Sequence, residues 1–314
     1  MSIIDLGLDV PLSITEIVSM LQTFFGGGEK QGIANYSRIF GPQWLASLGL
    51  TEERVRHMQQ TMTPDGFEQH LHQAAQQITI SHEQYMAMID KAGLKWGLII
   101  SPDNEKTAQF VAKSPERLKG MAMIDIRRGA VPAVRDLEYG VKELGMQAGF
   151  LSAFRTEIPI NDPRCYPVYA KAVELSIPVF VYTAMNYRTD LPMDIAHPRL
   201  IDQIAIDFPE LKLVASYGGW PWVADLVGIA RRHRHVFINC KAVRPKYLAQ
   251  PGGGWDMLMQ FGNTLLQDQI VFASGSHELG VPLDRLVEEV RNLPLKPTVK
   301  EKWLSQNAQR LFEK

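Results

Sequence analysis

A chain of 314 residues, 46% hydrophobic and 21% charged, is long enough for one large α/β unit and apolar enough to bury a sizeable core. Its formal net charge of −1 supplies no field that would draw it to nucleic acid or to an anionic membrane surface, so neither is expected as a partner. Two widely separated cysteines, Cys165 and Cys240, form no CxxC pair and read as free thiols of a reducing compartment, the cytoplasm. No stretch of about 18 apolar residues runs uninterrupted, and Met1-Ser2-Ile3-Ile4-Asp5 carries no basic leader. Neither a membrane span nor a secretory leader is expected.

In chain order, short apolar runs rich in β-branched residues alternate with longer amphipathic segments. Eight runs are predicted as strands: Ile3–Leu6, Gly97–Ile100, Met121–Ile124, Gln147–Leu151, Pro178–Val181, Lys212–Ala215, Val236–Asn239 and Ile270–Ala273. Continuous apolar character suits strands buried on both faces of a parallel sheet. A helix is predicted from Ser81 to a glycine stop at Gly93, and another from Gly129 to Leu144 with its stop at Gly145. Asn161-Asp162-Pro163 leads into a further helix, and Pro198–Ile206 ends at Phe208-Pro209. Strand and helix alternating eight times predict an α/β fold, a (β/α)8 TIM barrel.

One region breaks the rhythm. From Pro11 to Lys95 the chain carries Gly26-Gly27-Gly28, Pro42-Gln43-Trp44 and Pro64-Asp65-Gly66 with helical stretches between them. It reads as a helical insertion, residues 11–95, capping the mouth of a single 1–314 domain, because βα loops open on the catalytic face. An independent N-terminal subdomain is the other reading.

Several segments carry a resemblance. They are Met88-Ile89-Asp90-Lys91-Ala92-Gly93, Asp162-Pro163 with Tyr166-Pro167-Val168-Tyr169, Ile177–Val181, Phe208–Val214, Gly218-Gly219-Trp220-Pro221-Trp222 and Asn307–Phe312. In order and spacing they resemble the amidohydrolase-related family that includes aminocarboxymuconate-semialdehyde decarboxylase, resorcylate decarboxylases and related hydratases. The resemblance implies an amidohydrolase-like barrel and a divalent metal at the C-terminal strand ends. An HxH pair after strand one, a His after strand five and an Asp after strand eight would hold that metal, and a His after strand six would move protons.

At those positions this sequence differs. Gly7 and Asp9 stand for the HxH pair, Tyr182 for the strand-five His, Tyr217 for the strand-six His and Gly275 for the Asp. Glycine offers no ligand and a neutral phenol is a poor one. No metal and no other cofactor is therefore expected. His70 and His72 point different ways on a helix, and His233 and His235 read as a solvated helix end.

The remaining candidates are proton-handling and anion-binding groups. Tyr182 and Tyr217 can donate to a developing oxyanion or, with lowered pKa, act as acid or base; they can equally fill the volume of the lost imidazoles. Lys241, just past strand seven, is a candidate base or Schiff-base nucleophile, or a solvent-reaching cation. His277, beside Ser274, Ser276 and Glu278, is the best surviving imidazole, with a surface loop residue as the alternative. Asp9 is the nearest carboxylate, as base or as cap of the next segment. Arg155, Asn186 and Arg188 are expected to bind a substrate carboxylate, although Glu157 or Asp190 can occupy the arginines instead. The resemblance alone implies a small carboxylated or aromatic substrate, and on that basis the expected protein is a metal-independent lyase, decarboxylase, hydratase or hydrolase, in a homodimer. A non-catalytic barrel that binds ligand or supports an active paralogue is the alternative, and a metal enzyme with a relocated site is a third reading.

Overall fold

The computed structural model describes residues 2–25, 35, 38, 39, 41, 42, 45 and 50–313. Gly26-Gly27-Gly28, Gln43 and Trp44 lie outside them. The chain forms two compact units: Met1–Val10 with Met88–Asn186 and Asp194–Lys314, and Pro11–Ala87 with Tyr187–Met193.

The first unit is a ring of parallel strands. They are β1 (Ile3–Asp9), β2 (Leu94–Ile100), β3 (Leu118–Met123), β4 (Ala148–Leu151), β5 (Val179–Tyr182), β6 (Leu213–Ser216), β7 (Val236–Asn239) and β8 (Ile270–Val271). They pair in sequence order, each parallel to the next. The Leu6 N–H donates to the Phe272 carbonyl at 2.9 Å, joining the segment after β8 back to β1. All eight predicted runs are strands; β1, β2 and β3 begin earlier or run longer than the apolar runs alone suggest, and β8 is shorter.

Their interior is filled by side chains. Ile4, Leu6, Leu98, Phe180, Val214 and Val271 are buried in one cluster, and Tyr182 and Tyr217 pack against it from the C-terminal strand ends. Helices cover the outside, as their one-sided patterns require. The helix Ala130–Lys142 buries Ala133, Leu137 and Gly140, and Val223–Arg232 buries Leu226, Val227 and Ala230. The predicted glycine stops Gly93 and Gly145 both adopt positive φ, 72° and 70°, the left-handed conformation that ends a helix.

The second unit has its own core. The helices Ile14–Phe25, Glu52–Thr61 and Pro64–Ile78 gather Ile17, Val18, Val55, Met58, Leu71 and Ala75. Thr51 and Thr63 cap the last two helices by accepting from Arg54 N and Gly66 N, each at 3.2 Å. This unit ends at Ala87, short of Lys95, and takes in the Tyr187–Met193 segment that follows β5. The sequence showed no sign that these two separate stretches share one unit.

Candidate active site

The C-terminal strand ends deliver a compact polar cluster. Asp9 closes β1, Tyr182 closes β5, and Tyr217 follows β6 directly. Lys241 lies two residues past β7, and Glu278 lies on the short helix Ser276–Leu279 after β8. The Lys241 Nζ donates to Asp9 Oδ1 at 2.9 Å and stands 3.2 Å from Glu278 Oε1. The Tyr217 hydroxyl donates to that same Oε1 at 2.9 Å. Tyr182 stacks on Tyr217 with ring centroids 4.6 Å apart and donates its hydroxyl to the Met185 carbonyl at 2.9 Å.

A single buried amide sets two of these residues. Asn239, the last residue of β7, accepts at Oδ1 from Lys241 N at 3.1 Å and from Tyr217 N at 3.4 Å. Its Nδ2 donates to Ser216 Oγ at 3.0 Å. Tyr217 itself has a φ of 70°, unusual for a residue with a side chain and a form of strain that neighbours must hold in place. Thr183 Oγ, donating to the Ser216 carbonyl at 2.7 Å, ties β5 to the residue just before it.

Beneath the cluster, Asp5 clamps the β1–β8 seam. Its Oδ1 accepts from Gly7 N and Ser274 N, both at 2.9 Å, while its fully buried Oδ2 has no hydrogen-bond partner. Burial raises this carboxyl to about 6, against the lowering effect of those hydrogen bonds.

Two glycines at the mouth have steric reasons to be glycine. A Cβ on Gly7 would lie 2.8 Å from the Ala273 Cβ. Gly275 has a φ of 58°, and a Cβ there would lie 2.5 Å from Ala242 N and 2.8 Å from its Cα. Backbone atoms cannot move aside as a flexible side chain can, so position 275 is closed to larger residues.

Electrostatics decide the protonation states. Burial alone would lower the Lys241 pKa, but Asp9, Glu278 and Tyr217 outweigh it and hold the ammonium well above its usual value. An ammonium held in this way favours a charged Lys241 over the free amine that a base or Schiff-base nucleophile requires. Burial, reinforced by Glu278, pushes the Tyr217 phenol well above 10, so it is a hydrogen-bond donor and not a base. Burial also raises the Glu278 carboxyl; Lys241 opposes the rise and Asp9 adds to it. Two carboxylates around one ammonium leave an excess of negative charge, which adds to that rise.

The structure thus brings Asp9, Lys241, Tyr182 and Tyr217 together. His277 is exposed, and its neighbour Glu278 reaches the cluster in its place. On one helical turn adjacent side chains diverge by about 100°, so only one of the pair can face inward. Arg155, on the short helix Ala153–Thr156 after β4, is exposed, with Tyr217 and Asp125 within electrostatic reach. Asn186 is buried after β5. Arg188 belongs to the second unit, where it grips Asp190 through two hydrogen bonds of 2.8 and 2.6 Å. His233 is half-buried against Asp202 at 2.8 Å rather than solvated. Sequence reading missed Glu278, Asn239 and Asp5 as site residues; the only available hint was the polar run around His277.

The amidohydrolase family model matches residues 57–314. The chain belongs to the amidohydrolase family. Among solved structures, an uncharacterized TIM-barrel protein from Bordetella bronchiseptica is 23% identical, covering 99% of this chain and 98% of its own at a TM-score of 0.69. The 5-carboxyvanillate decarboxylase of Sphingomonas paucimobilis is 14% identical over 99% and 98% of the two chains, with a TM-score of 0.65. A probable 2-pyrone-4,6-dicarboxylic acid hydrolase from Acinetobacter baumannii, solved with citric acid, is 13% identical over 99% and 99%, at 0.59. No curated protein sequence matches the chain.

The residues of this amidohydrolase do not fit the divalent ion that the family pattern implies. Gly7 and Gly275, which the sequence resemblance sets at ligand positions, offer no ligand atom, and a side chain at 275 would meet the Ala242 backbone. The carboxylates Asp9 and Glu278 already surround an ammonium. Among the described residues, no group of three or more His, Cys, Asp or Glu is placed to bind a metal.

Proposed function

We propose that this barrel is a metal-independent enzyme, a lyase or hydrolase, that acts on a small carboxylated or aromatic molecule at its C-terminal mouth. The observation that carries the reading is Glu278. Its carboxyl is raised by burial and lies within hydrogen-bond distance of both an ammonium and a neutral phenol. A buried carboxyl with a cation and a hydroxyl donor in reach is a candidate to give or take a proton during a reaction.

The solved relatives by fold include enzymes named for carboxylated ring compounds. In a decarboxylation the bond to the departing CO2 breaks, and the electron pair left on carbon takes a proton from Glu278. In a hydrolysis the Glu278 carboxylate takes a proton from water as its oxygen bonds to the carbonyl carbon, and returns that proton to the leaving oxygen as the carbon–oxygen bond breaks. The same residue serves either reaction. Arg155 is the first candidate to hold the substrate carboxylate, since the Arg188 guanidinium is engaged by Asp190.

A second reading, a binding barrel without chemistry, is favoured by the way Lys241, Glu278 and Tyr217 satisfy one another. The two separate by assay. Wild type is screened against carboxylated aromatic compounds, with and without chelator, for product and for a rise in unfolding temperature. Turnover that survives chelator and falls in Glu278→Gln supports the enzyme. Ligand-induced stabilisation with no turnover of any compound supports the binding barrel.

A further inference from the structure

A bound divalent ion sets positive charge among donor ligands, often carboxylates, and this mouth holds a comparable arrangement with a side-chain ammonium. The Lys241 ammonium is 2.9 Å from Asp9 Oδ1 and 3.2 Å from Glu278 Oε1. The side chain is only 8% exposed, so its charge is poorly screened. An ammonium carries three N–H donors; the two carboxylates account for two, and no described residue takes the third. Asn239 fixes the Lys241 backbone, so the charge is placed by the barrel and not by a flexible loop. Around it, Gly7 and Gly275 leave no room for imidazole or carboxylate ligands.

We infer that Lys241 is a resident cation that takes the place of a divalent ion, neutralising Asp9 and Glu278 and offering its third N–H to a substrate oxygen that gains negative charge. The ligand class is a phenolic, enolic or carbonyl oxygen. A carboxylate fits less well, because two carboxylates already share the ammonium. This inference rests on the proposed function for its substrate half, but its charge-balancing half stands alone.

The test has two arms. In the first, thermal unfolding is followed for wild type, Lys241→Arg, Lys241→Ala and the uncharged Asp9→Asn/Lys241→Ala/Glu278→Gln protein. Lys241→Ala is expected to lose about 5–10 °C by leaving two facing carboxylates without a cation. Ethylammonium should restore part of that loss in Lys241→Ala and leave wild type unchanged, while Lys241→Arg and the uncharged protein should lie nearer wild type. An ethylammonium-insensitive Lys241→Ala, or an uncharged protein no more stable than it, overturns the resident cation. Should Lys241→Ala fail to fold, folding of the uncharged protein supports the inference, and its failure counts against it.

The second arm uses 4-nitrophenol, whose ionisation is visible by absorbance. Bound to wild type, its apparent pKa should fall by about one unit or more relative to the complex with Lys241→Met, a tenfold shift in the phenolate equilibrium. Equal values in the two proteins overturn the substrate half. If 4-nitrophenol does not bind wild type, the aromatic-substrate reading fails, and the first arm decides the cation by itself.

Discussion

Lys241 and Asp9 stand 232 residues apart in the chain and meet at 2.9 Å. One leaves β7 and the other ends β1, and β8 lies between those strands in the closed ring. The contact therefore exists only because the barrel closes. It helps hold a buried lysine, which burial alone would push toward neutrality, in its charged form, and it places that ammonium beside Glu278, whose carboxyl burial raises.

The proposed role of Glu278 predicts a specific kinetic pattern. Glu278→Gln keeps the size and the acceptor oxygen for Tyr217 but cannot exchange a proton. On any compound that wild type turns over, kcat should fall by about 10²–10⁴ with little change in KM. Tyr217→Phe removes one donor to Glu278 and should reduce kcat by a smaller factor. His277→Gln, at an exposed position, should leave kcat within about twofold. A His277 variant as damaged as Glu278→Gln would reverse the assignment.

Asp5 predicts a pH dependence of stability. Its carboxyl is near 6 in the folded protein and near 4 when unfolded, so the folded state holds the proton more tightly. A raised pKa contributes stability that is complete below the unfolded value and is lost as pH rises through the folded one. Two units correspond to roughly 3 kcal/mol, present near pH 4 and absent above about pH 7. Asp5→Asn keeps an oxygen for Gly7 N and Ser274 N and carries no titration. Urea unfolding of both proteins at pH 4.5 and 7.5 should show the variant gaining on wild type at the higher pH. A stability difference that is the same at both values would dismiss Asp5 as the source.

The glycines at the mouth predict what reversal of the family pattern would do. Gly275→Ala places a Cβ against the Ala242 backbone at a positive φ, and should cost about 2–4 kcal/mol by chemical denaturation. Gly7→His combined with Gly275→Asp should not create a divalent-ion site but should destabilise the barrel further. Metal analysis together with thermal unfolding checks both; tight, stoichiometric Zn²⁺ in a stable double variant would refute the steric account.

Asn239→Ala predicts a coupled loss. The amide satisfies Tyr217 N, Lys241 N and Ser216 Oγ in a buried setting. Its removal should destabilise the protein by about 2–4 kcal/mol and free Tyr217 from its left-handed conformation. Near-ultraviolet circular dichroism of the Tyr182–Tyr217 pair reads the second effect. An unchanged aromatic spectrum would show that Asn239 does not hold that loop.

How much of this was legible follows from the range of each interaction. Burial on both faces makes a parallel strand an apolar run, so β1 to β8 could be read locally, and Gly93 and Gly145 marked helix ends because left-handed backbone favours glycine. That Tyr182 and Tyr217 stand at the ends of the fifth and sixth apolar runs was equally plain in the letters. The sequence by itself thus determined the alternation that makes a barrel and the chemical types available at its mouth. Only the tertiary structure decided that Glu278 and not His277 turns inward, that Lys241 lies between two carboxylates that favour its charged form, and that Arg188 is engaged by Asp190 in a different unit from Arg155. Side-chain direction on a single turn, and the pKa of a buried group, depend on neighbours brought from distant strands by ring closure, and no local pattern encodes those neighbours.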